Sequence, residues 1–159
     1  VLDWSAVFLS DERGLDEAYA GLGYAAFALT MTIGRLTGDA IVRRLGAKRV
    51  IVIGGLLATA GMLLATLLPA WETALLGYAL VGAGCSNIVP VLYTAVGKQT
   101  VMPEHIAVPA ITTLGYAGIL AGPALIGFIA HGSSLSVAFV LIAVLLLGVA
   151  SSGKILRVS

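Results

Sequence analysis

Long apolar runs separated by short polar punctuation make up almost the whole chain. A helix needs about 20 apolar residues to cross a hydrocarbon core. Five runs approach or exceed that length, at 18–34, 50–71, 73–97, 106–130 and 132–153. The opening stretch, 1–10, reads as the last turns of a further span whose beginning lies before Val1, so the chain is expected to be a fragment of a longer protein. None of the runs shows the alternation over about 10 residues that marks a barrel strand. The pattern therefore predicts an all-α, polytopic transmembrane helix bundle, with residues 1–159 as one unit.

The connections between runs carry the charge. One is acidic, with Asp11, Glu12, Asp16 and Glu17 around Arg13; the next is basic, with Arg43, Arg44, Lys48 and Arg49. A tight turn follows at Trp71 and Glu72, then a mixed loop from Lys98 to His105, a turn near His131, and a tail with Lys154 and Arg157. Threading the runs puts Arg35, the basic connection, Lys98 and the tail on one side, and leaves only Arg13 on the other. Positive residues mark the cytoplasmic face. The C-terminus is therefore expected in the cytoplasm and the acidic loop outside.

Composition agrees with this placement and excludes other classes. Hydrophobic residues are 59% of the chain and charged ones 11%, with a mean hydropathy of +1.04; a soluble domain is about 25% charged. A net charge of +1 gives no electrostatic basis for nucleic-acid binding. The single cysteine, Cys85, cannot form an intrachain disulfide. No cleavable signal peptide is visible. His105 and His131 fall at opposite membrane faces and cannot share a ligand set, so no metal site is expected, and no phosphate-binding loop suggests a cofactor. No nucleophile–base pair or intramembrane carboxylate pair supports an enzyme.

Polar residues are unevenly shared among the spans. The runs 50–71 and 135–150 are nearly bare of them and are expected to face lipid as scaffold. The run 18–34 carries Tyr19, Tyr24, Thr30 and Thr32; 73–97 carries Ser86, Asn87, Tyr93 and Thr94; 106–130 carries Thr112, Thr113 and Tyr116. These three are expected to face an interior or a water-filled pathway. Pro90 and Pro123 lie well inside spans, where proline removes a donor and tends to kink a helix. Gly115, Gly118 and Gly122 share a face and read first as close helix packing. Leu-Gly-Tyr-Ala recurs at Leu22, Leu76 and Leu114, but three copies do not fit an inverted repeat.

Individual residues carry candidate chemistry. Asp3 lies about 10 Å below the end of its helix at 1.5 Å per residue. A carboxylate at that depth normally faces a cavity or partner, which makes Asp3 a candidate for proton coupling or solute contact, with Trp4 beside it as a stacking surface; a structural pairing is the alternative. Asn87, three residues before Pro90, reads either as a solute contact or as hydrogen-bonded glue between helices. Thr112 and Tyr116 are four apart on one face and, with Tyr24, are candidates to line the same cavity, packing being the alternative. Arg35, Asp39 and Arg43 repeat at spacing four, so they are expected to stack along one helix face at the cytoplasmic end, where Asp39 can pair with either arginine. That row is a candidate cytoplasmic gate, or else a surface ion pair.

The order of these motifs resembles a known family. Gly34-Arg35-Leu36-Thr37-Gly38-Asp39 through Arg43-Arg44-Leu45-Gly46-Ala47-Lys48-Arg49 resembles the loop between the eighth and ninth helices of major facilitator superfamily transporters. Asp3-Trp4-Ser5-Ala6 and Gly82-Ala83-Gly84-Cys85-Ser86-Asn87-Ile88-Val89-Pro90 resemble parts of the seventh and tenth helices in bacterial members near the fucose-permease-like group, and Gly122-Pro123-Ala124-Leu125-Ile126-Gly127 fits an eleventh. One departure is that Asp39 precedes Gly46 by seven residues, where the family motif has about three. The resemblance implies the six-helix C-terminal half of a twelve-helix carrier in a bacterial inner membrane. Helices seven, eight, ten and eleven would line the cavity, with nine and twelve outside. The partners implied are the bilayer, a small solute and the missing N-terminal bundle. Function is then expected to be solute transport by alternating access; a transporter-like scaffold or solute sensor is the alternative.

Overall fold

The computed structural model describes residues 3–153. Lys154 and Arg157 of the basic tail, and Val1 and Leu2 of the opening run, lie outside the described residues. A short helix, α1 (Ser5–Val7), passes directly into a π-helical turn over Phe8–Glu12. Asp16 then caps α2 (Glu17–Ala20), its carboxylate accepting the Ala18 N–H at 2.9 Å. The remaining elements are α3 (Leu22–Leu36), α4 (Gly38–Leu45), α5 (Ala47–Leu67), α6 (Trp71–Cys85), α7 (Ile88–Lys98), α8 (Glu104–Gly132) and α9 (Leu135–Ser152). Among the described residues there is no strand.

Four stretches are long and apolar enough to cross a membrane: Ala47–Leu67, Trp71–Lys98, Glu104–Gly132 and Leu135–Ser152. A fifth is Glu17–Leu36 with Gly38–Leu45, bent by 62°. The bend falls at Thr37, whose hydroxyl turns back to the carbonyl of Ile33 at 2.9 Å. It corrects the expected row of Arg35, Asp39 and Arg43, because Arg35 ends one helix while Asp39 and Arg43 belong to the next. Gly46, at φ +82°, makes the left-handed turn from α4 into α5.

The two prolines singled out in the sequence behave differently. Pro90 has no N–H to offer the carbonyl of Ser86, and the helix breaks at Ser86–Asn87. Local side chains compete there as well: Ser86 Oγ donates to the Ala83 carbonyl at 2.7 Å and Asn87 reaches another helix. At Pro123 no such competitor is present, and α8 runs uninterrupted through both Pro109 and Pro123.

The bundle is organised on α5, which packs on α6 and on α9, while α6 also packs on α3. Contact between α5 and α6 is backbone to backbone. A Cβ on Gly61 would strike the carbonyl of Gly77, and one on Gly54 would strike that of Gly84. The two pairs are one heptad apart on each helix, as an antiparallel crossing requires. This corrects the lipid-facing role expected of the run at 50–71. Its lack of polar groups accompanies small residues that make it the hub of the chain, with only one face, including Ile53 and Leu56, left open. Phe8, Leu9, Met62, Tyr78 and Phe139 fill the main core, with Phe8 and Phe139 rings 4.9 Å apart.

Candidate functional site

Most polar side chains expected to line a pathway sit on surfaces that no helix among the described residues covers. The clearest case is α8, in which Ala107 is the one buried residue. A Cβ added at Gly115, Gly118 or Gly122 would meet nothing within 4 Å. The packing first read for these glycines is therefore not made among the described residues.

A cavity of about 630 Å³ opens between α7 and α8, bordered by Tyr93, Thr112, Gly115, Tyr116 and Ile119. Thr112 donates to the Val108 carbonyl at 2.8 Å. Its one proton being committed, the 2.9 Å contact with Tyr93 has the phenol donating to Thr112 Oγ1. Thr112 and Tyr116 both border this cavity, and Tyr93 joins them. Tyr93 stood out in the sequence only as one polar residue among several, because pairing between α7 and α8 is not written in local spacing. The lining of this cavity has no charged side chain.

A neighbouring open depression of about 280 Å³ is bordered by Asp3, which is exposed, and by Phe27, Gly118, Ile119, Gly122 and Pro123. Ile119 borders both spaces, so Asp3 and the Tyr116 region lie along one continuous side of α8. Trp4 is used differently from Asp3. Its indole N–H donates to the Pro123 carbonyl at 3.2 Å, and its ring lies on Gly127, where a Cβ would come within 2.9 Å. Trp4 therefore fastens the opening segment to α8. Tyr24 is exposed on α3 and borders neither cavity.

The third cavity, about 390 Å³, lies towards the basic connection and collects Arg35, Asp39, Asn87, Pro90, Thr94 and Lys98. Arg35 and Asp39 therefore still border one space despite the bend between them, while Arg43 does not. Asn87 is 7% exposed, and its amide donates to the Gly34 carbonyl at 3.0 Å and to Ser86 Oγ at 3.1 Å. Asn87 thus bridges two helices and also borders this cavity.

The sequence reading missed Glu12 and Arg13. Arg13 donates to the carbonyls of Thr66 at 2.6 Å and Ala65 at 3.2 Å, in the last turn of α5, and its guanidinium lies 4.5 Å over the Phe8 ring. Glu12 accepts from the N–H and the hydroxyl of Ser136, in the first turn of α9. A cation on open carbonyls and an anion on open N–H groups each match the helix dipole. The one available signal was Arg13 standing alone among acidic neighbours.

Comparison with known proteins places this arrangement. Residues 4–156 match the Major Facilitator Superfamily. An uncharacterized MFS-type transporter of Yersinia pestis is 56% identical over 154 residues, covering 97% of this chain and 40% of that protein. The membrane protein MosC of Rhizobium meliloti is 33% identical over 142 residues, covering 89% of this chain and 35% of its own length. An uncharacterized transporter of Sinorhizobium fredii is 32% identical over 141 residues, with 89% and 37% covered. The chain thus spans between 35% and 40% of these curated relatives.

Proposed function

The chain belongs to the major facilitator superfamily and is a multi-pass membrane protein, and from that premise we propose that it is the C-terminal six-helix half of a twelve-helix secondary carrier in a bacterial inner membrane. The carrier moves a small solute by alternating access, two bundles rocking around a site near the midplane. The observation that carries this reading is the open side of α8, where polar and glycine positions border two adjoining cavities. A scaffold helix facing lipid has no use for a tyrosine–threonine pair and a carboxylate along the same side. The N-terminal bundle supplies the opposite wall. The basic connection lies in the cytoplasm, in keeping with the placement of Lys and Arg. Arg35 and Asp39 belong to the gate on that side.

Asp3 is the proposed proton carrier. Reconstituted full-length protein, given an inward proton gradient and a panel of radiolabelled small solutes, should accumulate one class of them and lose that accumulation with an uncoupler. Asp3→Asn should abolish accumulation and keep solute exchange. Equal accumulation in that variant removes Asp3 from coupling. Absence of flux for every solute in either direction favours the scaffold or sensor reading instead.

A further inference from the structure

Two helix breaks face each other across this bundle, and one side chain joins them. At Thr37 the bend between α3 and α4 interrupts the backbone ladder, and the Gly34 carbonyl accepts both the Thr37 hydroxyl at 3.4 Å and a donor from outside its helix. At Ser86–Asn87 the break between α6 and α7 leaves Asn87 free to leave its own helix. The Asn87 amide donates to the Gly34 carbonyl at 3.0 Å, and its Oδ1 occupies the space that a Cβ on Gly38 would fill. Ser86 occupies the corresponding space at Gly34. The glycines are thus required as receptacles for the side chains of the opposite break. Beyond the pin, Ile41 and Val42 of α4 and Val91 and Leu92 of α7 share one apolar cluster with Val50 and Ile51. The 390 Å³ cavity lies between the same two segments.

We propose that Asn87 is a positioning residue that pins the two breaks together, fixing the end of α3, where α4 begins, against the start of α7. Broken spans of this kind allow the segments on one side of a break to move without unfolding those on the other. An amide bonded to a carbonyl of the opposite break gives the pair one preferred alignment, because separation leaves the amide only its Ser86 Oγ contact and the carbonyl only the Thr37 hydroxyl at 3.4 Å. The inference rests on the carrier reading for its purpose alone; the tie itself is tested without any solute.

The test is hydrogen–deuterium exchange on the full-length protein in lipid nanodiscs, following peptides from residues 38–45, 88–98 and 54–66. Asn87→Leu keeps the branched shape and removes the donor. Both 38–45 and 88–98 should then exchange roughly 3- to 10-fold faster, together, with 54–66 unchanged. Gly38→Ala should have the same paired effect by driving the amide out of its receptacle. In the double variant Gly38→Ala, Asn87→Ala the new methyl takes up vacated space, so packing is relieved while the hydrogen bond stays absent. Both segments should remain fast. Acceleration of one segment alone, or of neither, overturns the proposal. So does parental exchange in the double variant, which would assign the effect to shape. If Asn87→Leu does not fold, the double variant decides. A protein that moves no solute yet shows paired exchange would sink the carrier reading and leave the pin standing.

Discussion

Arg13 donates to the carbonyls of Ala65 and Thr66 while Glu12 accepts from Ser136, so two adjacent residues tie the opening segment to α5 and α9. Arg13→Ala leaves those carbonyls open and uncovers the Phe8 ring, and should lower stability by about 2 kcal/mol. Thermal unfolding in detergent should show a drop of several degrees, against little change for the exposed Arg44→Ala. Equal shifts for the two would mean that Arg13 is only a surface charge. Tyr78 offers the opposite case. Its ring is fully buried against Phe139, yet its hydroxyl has no hydrogen-bond partner among the described residues. Tyr78→Phe keeps the packing and removes an unpaired polar atom, so the melting temperature should hold or rise. A fall of several degrees would show that the hydroxyl is satisfied. At this scale the sequence was a partial guide. Depth in a span singled out Asp3, which is exposed beside α8, and Asn87, which bonds across to α3. It did not say which partner, and local spacing carried no sign that Trp4 grips α8 or that Arg13 caps α5.

The helices themselves were legible from apolar run length and loop charge, because a bilayer admits few ways to satisfy a backbone. Their interruptions were less so. A 62° bend at Thr37 falls inside a stretch that reads as continuous helix up to Arg43, and the Gly34 carbonyl beside it is met by the Asn87 amide of another helix, a contact that local spacing does not show. Burial was misread for α5, since an absence of polar side chains fits a lipid-facing helix and a packed one equally well. The small residues were the better signal. Gly61→Leu should prevent the close approach of α5 and α6 and abolish folded, monodisperse protein in size-exclusion chromatography. Gly118→Ala, in open space, should leave folding of the chain intact and affect solute flux alone. A misfolded Gly118→Ala, or a well-folded Gly61→Leu, would reverse the assignment of the two helices.

For the whole molecule, two asymmetries are joined: charge distributed across the membrane, and polarity distributed around the bundle. The first predicts topology. In a Cys85→Ala background, Asp11→Cys and Lys48→Cys should react with an impermeant thiol reagent from opposite sides of the membrane; reaction from one side overturns the orientation. The second is the core of the account, because a pathway needs a wet side and a lipid side. Tyr116 and Leu120 on α8 are exposed in this chain, and so are Ile53 on α5 and Val144 on α9. Composition does not separate them, whereas the cavities do, with Tyr116 bordering one. The most direct measurement is therefore the thiol reactivity of single cysteines at Tyr116 and at Ile53 and Val144, in reconstituted full-length protein, with impermeant reagent applied to each side in turn. Alternating access predicts that Tyr116→Cys reacts from both sides while Ile53→Cys and Val144→Cys stay inert from either. Reactivity at Ile53 or Val144 with an inert Tyr116, or labelling of Tyr116 from one side only, would contradict it.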